Sequence, residues 1–288
     1  MKQNKKQTFA LYFGNRGFFP ASLIASARDE VAAAVEKAGF DYLMPPSDMT
    51  RYGAVETKDE GLKYAEWLGE HIGEYDGLIM SLPNFSDENG AVAAVRDCGV
   101  PIFIQAYPDE IGKMDFDHRR DSYCGKFSIC DVFHQYKIPF TIMPPHVVHP
   151  NTDAFAKNLS DFAAVCRVVN GMKRFTIGVI GARTTKFKTV RYDEITLQKY
   201  GITCDTYDLS ELFYRVEKMD GNSDAVKAKI EKLIGYTDFS SVPKDKTETL
   251  AKVSVAIDDM MREYHLDCIT LRCWEEMQTV LGVAPCVL

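Results

Sequence analysis

Short apolar runs that end on a turn and hand over to a helical pattern constrain this chain more than any other feature. The first is Phe9–Phe13, followed by Gly14-Asn15-Arg16-Gly17 and a helical stretch from about Pro20, a residue tolerated in a first helical turn. A run this short and this apolar reads as a buried parallel strand. The glycines read as turn positions whose backbone angles a side chain would forbid. Arg16 stands where the strand passes into the helix, and in open α/β sheets ligands bind outside the carboxyl ends of the strands. It reads either as a ligand contact or as an ordinary surface arginine.

The rhythm repeats. Leu23, Ala27, Val31, Ala34, Val35 and Ala38 recur at helical spacing, which predicts an amphipathic helix ended by Gly39. Strand Phe40–Met44, helix Lys58–Ile72, strand Asp76–Leu82, helix Ala91–Cys98 and strand Pro101–Gln105 follow. Such alternation predicts βαβ units and a parallel sheet. Ala106–Phe140 breaks it with a polar loop carrying Asp109, Glu110, Asp115, Asp117, His118, Arg119, Arg120 and Asp121. That loop reads as a pocket wall, a solvated lid or a subunit contact. A helix from about Ser122 and a strand over Ile138–Met143 come next. His146 and His149 lie three apart between prolines, with no helical face to converge on and no acidic or cysteine partner at a defined spacing, so they are not read as metal ligands.

Asn151-Thr152-Asp153 is placed to cap a helix running to about Asn170, and Gly171-Met172-Lys173 reads as a domain boundary. Beyond it, Arg174–Thr189 repeats the opening pattern of apolar strand, Gly, any residue, Arg, with Arg183 in the place of Arg16. GARTTKF lacks the ending of a P-loop and neither strand carries GxGxxG, which disfavours nucleotide binding. Strand Ile202–Tyr207, helices Ser210–Lys218, Asp224–Leu233 and Lys244–His265, and strand Asp267–Leu271 continue the second unit. The methionines of the long helix read as core packing. Arg272, Trp274 and Gln278 follow the last of these strands, and Val283–Leu288 reads as the start of another. The expected fold is α/β: two doubly wound parallel-sheet (Rossmann-like) domains in tandem, at residues 1–170 and 171–288, the second cut short inside a strand.

Charge and cysteine usage narrow the partners. A formal net charge of −7 over 288 residues argues against nucleic acid, which selects a basic surface. No apolar run approaches a membrane span or a signal peptide. The eight cysteines sit singly, mostly in apolar or helical context, as reduced thiols of a cytoplasmic protein do.

Five stretches then add up: GNRGFFP, SLPNFSDENGA, QAYPDEIGKMDFDHRRDSYCGKFS, IGARTTKFKTVRYDE and LRCWEEMQTVLGVAPCVL. Together they resemble the L-fucose/L-arabinose isomerase superfamily, and within it the bacterial L-fucose isomerase-like branch. The resemblance covers nearly the whole chain in order, and is most specific around Asp115–Ser128. It implies an enzyme interconverting aldoses and ketoses with a divalent cation, usually manganese. It also implies two α/β domains followed by a C-terminal domain that this sequence lacks, assembled as homo-oligomeric trimers or hexamers. In such assemblies the N-terminal domain lends residues to the sugar site of its neighbour, and the Arg16 turn matches the lent element. Arg272, Trp274 and Gln278 match the polar groups at strand ends of the second domain.

The resemblance places the metal ligands, and with them the catalytic residues, beyond Leu288. No metal ligand is expected within the chain; Glu275 and Glu276 are adjacent in a helical turn, so their carboxylates point apart. Moving a hydrogen between the first two carbons of a sugar requires charge stabilisation by a Lewis acid and a general base. Arg16, Arg272, Trp274 and Gln278 are therefore read as substrate-binding residues; Trp274 also reads as an amphipathic core residue. The competing reading is a non-catalytic sugar-binding or regulatory module. The sequence names no particular sugar, and leaves Arg183 facing solvent, a cleft or a neighbouring subunit.

Overall fold

The computed structural model describes residues 6–183 and 187–288. The basic start of the chain and Thr184-Thr185-Lys186 of the second glycine-arginine turn lie outside the described residues. The chain forms two compact units, Met1–Asn170 and Gly171–Leu288.

In the first unit the strands are β1 (Thr8–Phe13), β2 (Asp41–Leu43), β3 (Gly77–Leu82) and β4 (Ile102–Ala106), and the helices are α1 (Ser22–Lys37), α2 (Lys58–Glu70), α3 (Glu88–Val95), α4 (Ser122–Gln135) and α5 (Asp153–Met172). The sheet order is β2-β1-β3-β4, all parallel, with Phe9 opposite Gly77 and Leu78 opposite Ile102. β3 and β4 are buried throughout, which is why they read as unbroken apolar runs and not as alternations. Side-chain alternation along β1 feeds two cores. Phe9, Leu11 and Phe13 pack with α1 and α5 through Ile24, Val31, Phe155 and Phe162. Ala10 and Tyr12 pack with α2, α3 and α4 through Tyr64, Leu68, Val95 and Phe133. The sheet thus carries helices on both faces.

Three local features differ from the sequence reading. Ile138–Met143 forms no strand: a single bridge joins Thr141 to Phe103, since Pro139 and Pro144 interrupt the donors a ladder needs. Gly14 and Gly17 do not adopt left-handed φ. At Gly14 the constraint is space, because an added Cβ would stand 1.8 Å from Ser86 Oγ. The cysteines are less buried than their context suggests: among the described residues none forms a disulfide, and Cys166 is buried while Cys124 and Cys286 are exposed.

Arg28 on α1 is buried with its guanidinium donating to Gly53 O (2.7 Å) and Pro45 O (2.6 Å). No carboxylate pairs with it among the described residues, and burial lowers its pKa. It ties the loop after β2 to α1. Arg28→Met orphans two carbonyls, and urea unfolding is expected to show a loss of about 2 kcal/mol; an unchanged midpoint would contradict this account of the loop.

The second unit contains β5 (Phe175–Ile180), α6 (Glu194–Lys199), β6 (Ile202–Tyr207), α7 (Leu209–Lys218), α8 (Asp224–Tyr236), α9 (Lys244–Glu263), β7 (Cys268–Leu271) and α10 (Glu276–Val280). Its parallel sheet has the order β6-β5-β7. Leu212 and Val216 of α7 and Val253, Ala256, Ile257 and Met260 of α9 bury with Ile180 and Met277. The α9 methionines are therefore core, as their spacing predicts. α8 packs on α9 through Val226, Leu233, Leu250 and Val255, and Val283 joins that cluster. Val283–Leu288 is consequently not a strand. Gly282 takes a left-handed φ of +70°, and Pro285 follows two residues after Val283, so the segment turns onto the helices. Among the described residues no helix is long and apolar enough to cross a membrane.

Candidate functional site at the end of the first strand

β1 ends against the loop that leaves β3. Gly14 N donates to Ser81 O (3.1 Å) and Asn15 N to Val55 O (2.9 Å). Asn15 is buried, its Nδ2 donating to Glu56 Oε2 (3.2 Å) and its Oδ1 accepting from Asn84 Nδ2 (2.5 Å). These bonds leave the next residue, Arg16, on a backbone that is fixed in place.

The β3 exit loop then holds the Arg16 side chain. Its Nε donates to Ser86 O (3.1 Å), its Nη2 pairs with Glu88, and Asp87 Oδ2 stands 3.9 Å away. The guanidinium lies over the Phe85 ring at 4.7 Å. Glu88 also accepts from Ser128 Oγ on α4, and Asp87 caps α3 by accepting from Gly90 N (2.7 Å). Nη1 has no partner among the described residues. Beside it opens a cleft of about 310 Å³ lined by Arg16, Phe18, Phe19, Phe85, Phe116, Arg119 and Asp121. Arg16 is thus held by side chains and backbone of the loop leaving β3 and lines this cleft. Asn84, Glu88 and Ser128 carry no local signal: Asn84 and Glu88 meet residues 69 and 72 positions away, and Ser128 meets Glu88 40 positions away.

Arg272, Trp274 and Gln278 belong to the second unit. Arg272 follows β7, donating from Nε to Trp274 O (2.9 Å) and from Nη2 to Glu276 Oε1 (2.7 Å). Trp274 is 52% exposed and meets Phe187 edge-on at 5.8 Å, so it is no core residue. Gln278 is exposed on α10. Arg272 and Trp274 are thus brought together, while no bond joins Gln278 to either. Arg183 is exposed, 3.5 Å from Glu194 and 5.0 Å over the Tyr192 ring. Gly181 before it has a φ of +87°, unlike Gly14, so the two glycine-arginine turns are not conformational copies.

His146 and His149 diverge. His149 Nε2 lies 3.4 Å from Glu30, which also accepts from Tyr107 OH (2.9 Å). His146 instead borders α4, where its carbonyl accepts from Lys126 Nζ (2.9 Å). Among the described residues no group of three or more His, Cys, Asp or Glu side chains is placed to hold a metal ion.

Lys126 is 3% exposed, and burial pushes its amine down to about 8. Between that value and the ordinary lysine range the unfolded chain binds more protons than the folded one. The contribution of Lys126 to stability is therefore unfavourable at lower pH and improves as pH rises through the window. Lys126→Met is expected to be more stable than the parent by about 1–2 kcal/mol near neutrality. Urea unfolding repeated at about pH 10 should show that advantage shrinking; a variant less stable at both values would contradict the assignment.

A family profile described as Fucose/sulfoquinovose isomerase, N-terminal domain, matches residues 10–173, from β1 to the end of α5. The chain belongs to this family. The matched span contains Arg16 and every residue that holds it, and agrees with the resemblance carried by the sequence motifs. Among individual relatives, a sulfoquinovose isomerase of Priestia aryabhattai is 27% identical over 172 residues, covering 58% of this chain and 37% of the relative. One of Alkalicoccus urumqiensis is 23% identical over 217 residues, covering 73% of this chain and 46% of the relative. The matches thus span less than half the length of these curated relatives.

Proposed function

We propose that the protein carrying this chain is an aldose–ketose isomerase in which Arg16 contacts the sugar. The observation that carries this reading is a guanidinium fixed by Ser86, Glu88 and Phe85 at the carboxyl end of β1, with Nη1 free beside an open cleft. A guanidinium held in this way donates to a hydroxyl in a set direction, and the exposed rings of Phe18 and Phe116 in the cleft wall offer apolar surface to the C–H side of a sugar. Arg16 is neutralised by Glu88, and Arg119 donates to Asp121 (2.8 Å). The cleft therefore supplies directed donors without net positive charge, which favours a neutral hydroxyl-bearing stretch over a sulfonate at this point.

The rest of the reading follows the family resemblance. Both units are proposed to be doubly wound, the protein to work in the cytoplasm, and the subunits to assemble as trimers or hexamers. In such an assembly Arg16 serves the sugar site of a neighbour, to which Arg272, Trp274 and Gln278 contribute from their own unit. Manganese is proposed for the whole protein. The described residues do not fit it: Glu276 is committed to Arg272, Glu275 is exposed, and no cluster of ligands is placed to bind a cation.

The test is to incubate the natural gene product with manganese and L-fucose, L-arabinose and sulfoquinovose in turn, following ketose formation by NMR. Conversion of one of them, lost on chelation, is the expected result. If all three persist unchanged while sugar binding survives chelation, the protein is a binding module instead.

A further inference from the structure

A second cleft borders α4, and among its polar lining groups, Asp131 and His134 included, one is a buried amine. It measures about 480 Å³, and Tyr123, Lys126, Phe127, Phe140, Ile142 and His146 are among its walls. Phe127 is 73% exposed and Ile142 44% exposed, so the cleft opens to solvent along an apolar rim. Lys126 is nine-tenths buried and more, yet its ammonium makes one hydrogen bond, to His146 O at 2.9 Å. An ammonium carries three donors. Asp131, the carboxylate on the same helix, instead accepts from Gln135 Nε2 (2.8 Å). Among the described residues no acidic group lies within ion-pair distance of Lys126, and burial alone lowers its proton affinity.

Buried cations are ordinarily paired. This one is left with a carbonyl, at the edge of an apolar cleft large enough for a bicyclic ring system. We propose that the cleft between α4 and residues 140–146 is a binding site for a small aromatic carboxylate, its anion on Lys126 and its ring among Phe127, Phe140 and Ile142. The carboxylate supplies both the missing countercharge and acceptors for the two free ammonium protons. The rings bury apolar surface that is otherwise wet. The proposal uses none of the Arg16 cleft's lining residues, so it stands or falls independently of the isomerase reading.

The probe is 1-naphthylacetate, with 1-naphthylacetamide as its uncharged isostere, titrated calorimetrically into the protein near neutral pH. The acid is expected to bind at one site per chain and the amide at least about tenfold more weakly, as the loss of a charge-assisted bond implies. Lys126→Met keeps the apolar stem and is expected to erase the difference between the two. Ile142→Trp fills the cleft from its exposed rim and is expected to abolish binding of both, which locates the site independently of Lys126. Equal affinity for acid and amide, absence of binding, or binding that survives Ile142→Trp would each overturn the proposal.

Discussion

Gly125→Ala is expected to be the most damaging single methyl that can be added to the first unit. α4 crosses the β3 exit loop at this glycine so closely that a Cβ would stand 1.7 Å from Phe85 O, 2.4 Å from its carbonyl carbon and 2.7 Å from its Cα. All three are backbone atoms, which cannot rotate out of the way as a side-chain tip does. Either α4 lifts from the sheet, exposing Ile129 and Phe133, or the loop shifts. The expected loss is about 4 kcal/mol, read as a fall in the urea midpoint. Gly69→Ala is the internal control, since nothing lies within 4 Å of its added Cβ. In the last turn of α2 it is expected to stabilise by about 0.5–1 kcal/mol. Similar behaviour of the two variants would mean that α4 does not seat on Phe85 as described.

The second large effect is on activity. In the catalytically competent protein, Arg16→Met is expected to lower kcat/KM by about a thousandfold, or about 4 kcal/mol. It removes the donor aimed at the sugar and leaves Glu88 facing the cleft without its cation. Arg16→Lys is expected to recover little. A single ammonium cannot bond Ser86 O, pair with Glu88 and present a further donor in the geometry of a planar guanidinium. Folding should be nearly unaffected, because the Arg16 side chain is 29% exposed and the backbone before it is held by Asn15 and Asn84. A variant with normal stability and undiminished kcat/KM would remove Arg16 from the site.

What the sequence made legible follows from what is local. Strand and helix identities are written in runs such as Phe9–Phe13 and in the α1 and α9 periodicities, so the α/β character and parallel sheets could be read directly. The position of Arg16 at a strand's carboxyl end was legible for the same reason. The failures are all matters of long-range contact or of competition between neighbours. Ile138–Met143 and Val283–Leu288 are apolar enough for strands, but the prolines that interrupt the first and the left-handed turn before the second decide otherwise. Gly14 looks like a turn glycine, whereas its cause is Ser86, which no local rule connects to it. The partners that immobilise Arg16 reach it from β3's exit loop and α3, and Ser128 from α4, so only the folded chain reveals them. Nothing local in the sequence marks Lys126; its burial is visible only in the folded chain, where His146 O accepts from its ammonium.

The most direct measurement is an aldose titration of the natural gene product followed by NMR, with the amides of Asn15–Gly17 and Phe85–Glu88 assigned. The site described here predicts shifts concentrated at these two loops, saturable, and absent in Arg16→Met. Shifts confined to other parts of the chain, or a sugar response unchanged by Arg16→Met, would contradict the claim that sugar meets this chain at the carboxyl end of its first strand.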